Sequence, residues 1–192
     1  IHTIYVHTGE YHENLIISSD IKIIHNDISE LRFDENDIEY LTNNEILDME
    51  GTVIKGSEGD DGYGVDAPII TIIGNGIQPA PVIGGFTVTN GYTSSSGGGI
   101  YIKDAKPSLR WMRVIRNSAE GDGAGIYLED AANTSLKHVL IAENAAGVSK
   151  DFSTNTYSEI ISGAQRGGGI AIKESVPVIL NHVTIATNYA DN

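Results

Sequence analysis

Gly97-Gly98-Gly99-Ile100-Tyr101-Ile102 returns as Gly123-Ala124-Gly125-Ile126-Tyr127-Leu128 and again as Gly167-Gly168-Gly169-Ile170-Ala171-Ile172. Each copy is followed by an apolar pattern that lands on an asparagine, at Asn117, Asn144 and Asn188. Leucine stands eight residues before that asparagine (Leu109, Leu136, Leu180). Apolar residues stand five before it (Met112, Val139, Val183) and three before it (Val114, Ile141, Ile185). A fainter copy lies upstream, where Ile70-Thr71-Ile72 and Phe86-Thr87-Val88 match the two strands of the later units. The leading isoleucines Ile70, Ile100, Ile126 and Ile170 are 30, 26 and 44 residues apart. Self-similarity at such a period marks a stack of repeats, each covering its neighbour's apolar surface.

Within a copy the alternation has period two: isoleucine inward, tyrosine outward, isoleucine inward. A helix would need apolar residues three and four apart and few glycines, and 22 glycines oppose it. Strands this short, parted by Gly, Asn, Asp and Pro, cannot pair with themselves. They pair with their equivalents one repeat away, at about 4.8 Å. The sequence therefore predicts an all-β chain, a single parallel β-helix (a solenoid) of about five to six coils over residues 1–192. An acidic, irregular insertion at about 26–50 and a long loop at about 147–166 interrupt it. Length varies just before each glycine triplet, in segments 57–66, 92–96, 119–122 and 147–166. Stacking in register gathers these on one edge, where repeat proteins often bind.

The net charge of -14, from 26 acids against 12 bases, argues against nucleic acid as a partner. Hydrophobic residues make up 40% of the chain, enough for a core. No apolar run approaches the roughly 18 residues that a spanning helix needs. Cysteine is absent, so disulfides and thiolate metal sites are excluded. The chain opens close to a strand-like run, Ile4-Tyr5-Val6, and still follows the repeat from Ala186 to Asn192. The expectation is a piece of a longer protein, whose open end meets further chain or a neighbouring subunit.

Val6-His7-Thr8-Gly9-Glu10-Tyr11-His12-Glu13-Asn14 resembles the opening V-x-x-G-x-Y-x-E-N of the right-handed parallel β-helix repeat family of secreted bacterial proteins. Gly85-Phe86-Thr87-Val88-Thr89-Asn90-Gly91 resembles its G-F-T-I-T-N-G turn, and the triplets with their Asn-ended strands resemble its repeat. The family lies within the pectin-lyase-like superfamily. The resemblance covers nearly all of the chain except residues 26–50 and 147–166, and implies a right-handed coil and a secreted or cell-surface location. It leaves activity open, because that scaffold hosts lyases, hydrolases, esterases, adhesins and structural proteins. Gly9-x-Tyr11-x-Glu13 also resembles the opening of pectin methylesterases, whose paired Asp and Arg motifs have no counterpart here. The G-H-G and R-I-K-like motifs of the superfamily's hydrolases are missing, as is the lyase pattern of calcium-bound Asp with an Arg base.

Several positions carry candidate chemistry. Asp60 and Asp61, in a glycine-rich loop with Asp66, join Asp122 on the loop-bearing edge as oxygen donors suited to Ca²⁺, the one cofactor the sequence suggests. Tyr101 and Tyr127, outward on adjacent coils, form an aromatic ladder for sugar rings. Trp111 joins them as a glycan-binding candidate and shares its repeat position with His138 and His182. Asp104, Asp130 and Glu174 form an acidic column, with Lys103 and Lys173 alongside to relieve repulsion. Asn117, Asn144 and Asn188 are expected to form an interior amide ladder, each bonding its counterparts above and below. No residue is assigned a catalytic role. The preferred expectation is a non-catalytic extracellular or cell-surface module, structural or adhesive, contacting glycans or assembling through its ends. The alternative is a polysaccharide-active lyase or hydrolase working through Asp60, Asp61 or Asp66.

Overall fold

A computed structural model of the chain describes residues 2–26, 51–56, 65–74, 79–151, 156–159 and 165–191. The first repeat contributes β1 (His2–Val6), β2 (Gly9–His12) and β3 (Leu15–Ile17). The second gives β4 (Ile21–His25), β5 (Thr52–Lys55) and β6 (Ile70–Ile73). In the third lie β7 (Val82–Gly84), β8 (Thr87–Thr89), β9 (Tyr92–Thr93) and β10 (Ile100–Lys103). The fourth holds β11 (Ser108–Ile115), β12 (Ser118–Ala119) and β13 (Ile126–Glu129). The fifth has β14 (Ser135–Ala142), β15 (Ala145–Ala146), β16 (Val148–Asp151), β17 (Thr156–Glu159) and β18 (Ile170–Lys173). Last come β19 (Ile179–Ala186) and β20 (Tyr189–Ala190).

The chain is nearly all β, and its three main sheets are parallel. One runs β18-β13-β10-β6-β3 and a second β20-β15-β12-β9. In the largest, β1, β4, β7, β11, β14 and β19 pair in turn, while β8, β5 and β2 continue from the second half of β11. Each strand of these three sheets thus pairs with its equivalent in the adjacent repeat. Ile70, Ile100, Ile126 and Ile170 are register partners despite their unequal spacing in sequence. The extra length before Ile170 contains an antiparallel hairpin of β16 and β17, regular structure inside what the sequence suggests as a loop.

The parallel register places like on like in the interior. Ile70, Ile100 and Ile126 form one row of fully buried side chains, and Ile72, Ile102 and Leu128 another. Ile83, Leu109 and Leu136 form a third on the opposing sheet. Each such side chain contributes about 1.5–3 kcal/mol on leaving water. Local propensity explains little here, because most of the strands have only two to five residues and are too short to stand alone.

Single left-handed residues turn the corners. Asp104, Asp130 and Glu174 have φ of 49°, 51° and 52°. Trp111, His138 and His182 have 53°, 55° and 53°, and Arg116, Glu143 and Thr187 have 55°, 57° and 52°. Left-handed backbone costs a non-glycine residue about 1–2 kcal/mol, so packing on adjacent repeats must enforce it. One such residue bends the chain and shifts the inward parity by one, so that Leu109 and Met112, three residues apart, both face the interior. Gly85 (φ 87°) occupies the Trp111 position one repeat earlier. One repeat before that, β4 and β5 flank the equivalent position, and of the expected 26–50 insertion residues 27–50 lie outside the described residues.

Candidate functional site

The three asparagines lie at the corner before the two-residue strands. Asn117 and Asn144 are buried and Asn188 is half-buried. Asn117 donates from its backbone N–H and its Nδ2 to Asn144 Oδ1, at 2.9 and 3.0 Å. Asn144 repeats both bonds to Asn188 Oδ1 at 3.0 and 2.9 Å. The remaining Nδ2 hydrogens go to the carbonyls of Val88, Val114 and Ile141. Asn117 and Asn144 thereby use both of their Nδ2 hydrogens within the ladder and have none to spare for a ligand. They also explain the last glycine of each triplet. A Cβ on Gly125 would lie 2.8 Å from Asn144 Nδ2 and 2.4 Å from the Gly169 carbonyl.

The loop-bearing edge spends its acids in the same way. Asp66 accepts bonds from the backbone and hydroxyl of Ser94, at 2.7 and 2.6 Å. Asp122 accepts from the backbone N–H of Arg166 at 2.7 Å. Tyr92 and Ser149 both donate to Glu120 Oε1. Burial, then the bond to Glu120, holds the Tyr92 phenol above its usual range. Asp60 and Asp61 lie outside the described residues. Among the described residues no group of three or more His, Asp and Glu could hold a metal ion.

On the outer face of the β10–β13–β18 sheet, Tyr101 and Tyr127 stack with centroids 5.7 Å apart and planes 12° apart. Each ring therefore covers one face of the other. Tyr101 donates to Glu129 Oε2 at 3.1 Å, and its phenol is pushed up to about 12, chiefly by burial and then by this bond. Lys103 and Lys173 close on the two oxygens of Glu129 at 3.2 and 2.7 Å. Its carboxyl falls to about 2, with Lys173 the largest cause. Both lysines thus serve Glu129, one position before the acidic column of Asp104, Asp130 and Glu174.

The tyrosine row stops at Ala171, the register partner of Tyr127. Where a third ring would lie there is a depression of about 450 Å³, lined by Asp122, Tyr127, Arg166, Gly167, Ala171 and Lys173, among others. It joins the far side of Tyr127 to groups of both charges at the loop-bearing edge. On the other side of the molecule, Trp111, His138 and His182 form a second stack. Centroid spacings are 3.8 and 4.8 Å and planes are within 6° and 11°. That row runs back to Gly85, which offers no side chain. The two aromatic rows occupy different faces and do not combine into one site.

Compared with protein families, with curated proteins and with solved structures, the chain matches none. The depression beside Ala171 went unnoticed in the sequence, although the change from Ile-Tyr-Ile or Ile-Tyr-Leu to Ile-Ala-Ile in the third copy is its visible signal.

Proposed function

We propose that the chain is a stretch of right-handed parallel β-helix serving as a non-catalytic structural or adhesive module, outside the cell or on its surface, that contacts glycans. One observation carries this reading: the carboxylates of the loop-bearing edge and of the tyrosine-bearing sheet are each bonded to a neighbouring repeat. Glu129 is held by lysines from the repeats on either side, and Asp66, Glu120 and Asp122 bind neighbouring loops. Acid–base chemistry needs carboxylates held apart and facing a common substrate, and carboxylates tied to neighbouring repeats are poorly suited to it. Glycan contact is assigned to the depression beside Ala171, where a sugar ring would continue the tyrosine stack beside Arg166 and Asp122. Secretion and surface attachment fit the acidic composition and the family resemblance.

The test is affinity electrophoresis through a panel of neutral and acidic polysaccharides, run beside assays for reducing ends and unsaturated products. Retardation without product, lost in Ala171→Tyr, which fills the depression, is the expected result. Sustained product release, abolished in Asp61→Asn, would replace this reading with the enzymatic one. Retardation unaffected by Ala171→Tyr would remove the depression from it.

A further inference from the structure

The outer face formed by β5, β8 and the second half of β11 carries a furrow of about 420 Å³, lined by Glu10, Lys55, Thr87, Thr89, Arg113 and Arg116, among others. Register accounts for it. Val53, Thr87 and Arg113 share one outward row, and Lys55, Thr89 and Ile115 the next. Two short threonines therefore lie between two rungs of longer side chains, and the surface dips along β8. Inward parity is fixed by Ile54, Val88 and Val114, all buried.

Its charge runs against that of the whole molecule. Three of only 12 lysines and arginines line the furrow beside one carboxylate, on a chain of net charge -14. Glu10 is engaged by Lys55 at 2.7 Å and by His12 at 2.9 Å, and both hold its carboxyl below the usual range, Lys55 foremost. Arg116 pairs with Glu143 at 2.7 Å, but their side chains are 63% and 52% exposed. Exposed pairs are weakly held, so the guanidinium can exchange Glu143 for another anion. Beneath these cations the Thr87 hydroxyl is buried, the residue being only 5% exposed, and its Oγ1 has no hydrogen-bond partner. Buried hydroxyls without partners are exceptions in folded proteins.

We propose that this furrow seats a tetrahedral oxyanion, a sulfate or phosphate group. Arg113 and Arg116 supply planar donor forks that match its oxygens, Lys55 adds charge, and Thr87 donates the hydroxyl that otherwise has no partner. Arg113 is the register partner of Thr87 one repeat on, so one anion can engage both. The group arrives either as the free ion or as an ester on a polymer, and the two sources share this chemistry.

The test titrates the wild-type chain with sodium sulfate and with phosphate, against sodium chloride at matched ionic strength, and follows the NMR signals of Thr87 and Thr89. Saturable shifts at both threonines in sulfate or phosphate, absent in chloride, are expected. Arg113→Gln should weaken binding about tenfold or more. Thr87→Val should weaken it severalfold, and Lys106→Gln, an exposed cation outside the furrow, should leave it unchanged. Equal shifts in chloride, or Arg113→Gln binding like wild type, would overturn the site. The wild-type titration decides the matter even where a variant folds poorly. Dextran sulfate, with dextran as control, separates the sources. Polymer binding much tighter per sulfate than the free ion assigns an ester, and equal affinity assigns the ion.

Discussion

β14 and β19 carry nearly the same inward pattern, Leu136, Val139 and Ile141 against Leu180, Val183 and Ile185, and they are paired in register. Their fates differ. Leu136 and Ile141 are fully buried, whereas Leu180 and Ile185 are 47% and 46% exposed. Among the described strands the first has a neighbour on each side, and the second pairs with β14 alone. At the opposite end β1 repeats the lesson, with Ile4 48% exposed beside a small apolar hollow shared with Val6, Leu15, Ile23 and Ile54. In this architecture a residue's burial belongs to the adjacent repeat more than to its own.

The largest effect should come from trimming these two leucines. Leu136→Ala opens a cavity between packed rungs and should cost about 2–5 kcal/mol. Leu180→Ala has only half its surface to lose and should cost roughly half as much. Urea unfolding of both variants, read as midpoints at constant slope, checks the contrast. Equal losses would mean that the last repeat of the 192-residue chain is covered in solution, as assembly through that end would require.

Next in size is the amide ladder. Among the described residues Asn144 is bonded on both sides and Asn188 on one. Asn144→Ala removes a buried amide, leaves Asn117 without its acceptor and should cost about 1–3 kcal/mol. Asn188→Ala should cost less, because water can reach the groups it abandons. Thermal melting ranks the pair, and neither change should alter polysaccharide retardation, since the ladder is remote from Ala171. An Asn188→Ala loss matching that of Asn144→Ala would again point to a covered end.

The pairing was legible because the repeat copies align position by position. Once Ile100, Ile126 and Ile170 are aligned, parity dictates which rows face inward, and the asparagine at the end of each unit fixes the register. The corners were not legible. Gly97 or Gly123 advertises positive φ, but Trp111, His138 and Thr187 do not. Their left-handed backbone is forced by packing on adjacent repeats, against local preference. Nor could the sequence distribute the charges. Lys103 and Lys173 stand next to Asp104 and Glu174 in sequence, yet parallel register carries both to Glu129. The basic furrow is hidden more deeply. Lys55 and Arg113 are remote in sequence, and they converge only through the pairings of β5 with β8 and of β8 with β11.

Glu129 offers the smallest and most diagnostic effect, because its two lysines belong to the repeats before and after its own. Its folded carboxyl titrates near 2, well below the usual 4.5. The unfolded chain therefore takes up the proton first as pH falls. The stabilisation is fully present above about 4.5 and is lost progressively toward 2. Lys173 moves in the complementary direction, upward, because Glu129 favours its charged form. Glu129 is largely buried, at 16% exposed, but the lysines are 45% and 53% exposed. Solvent screening therefore limits the sum of both pairs to about 1–2 kcal/mol. Glu129→Gln should lose that amount at pH 7 and little relative to wild type at pH 2.5, in matched urea titrations. Lys173→Gln leaves Glu129 with Lys103 and the Tyr101 hydroxyl, and its loss at pH 7 should fall between wild type and Glu129→Gln. A Lys173→Gln loss equal to that of Glu129→Gln would mean that the bond to the following repeat carries the whole effect. The charged rows would then depend on the next rung as completely as the apolar ones do.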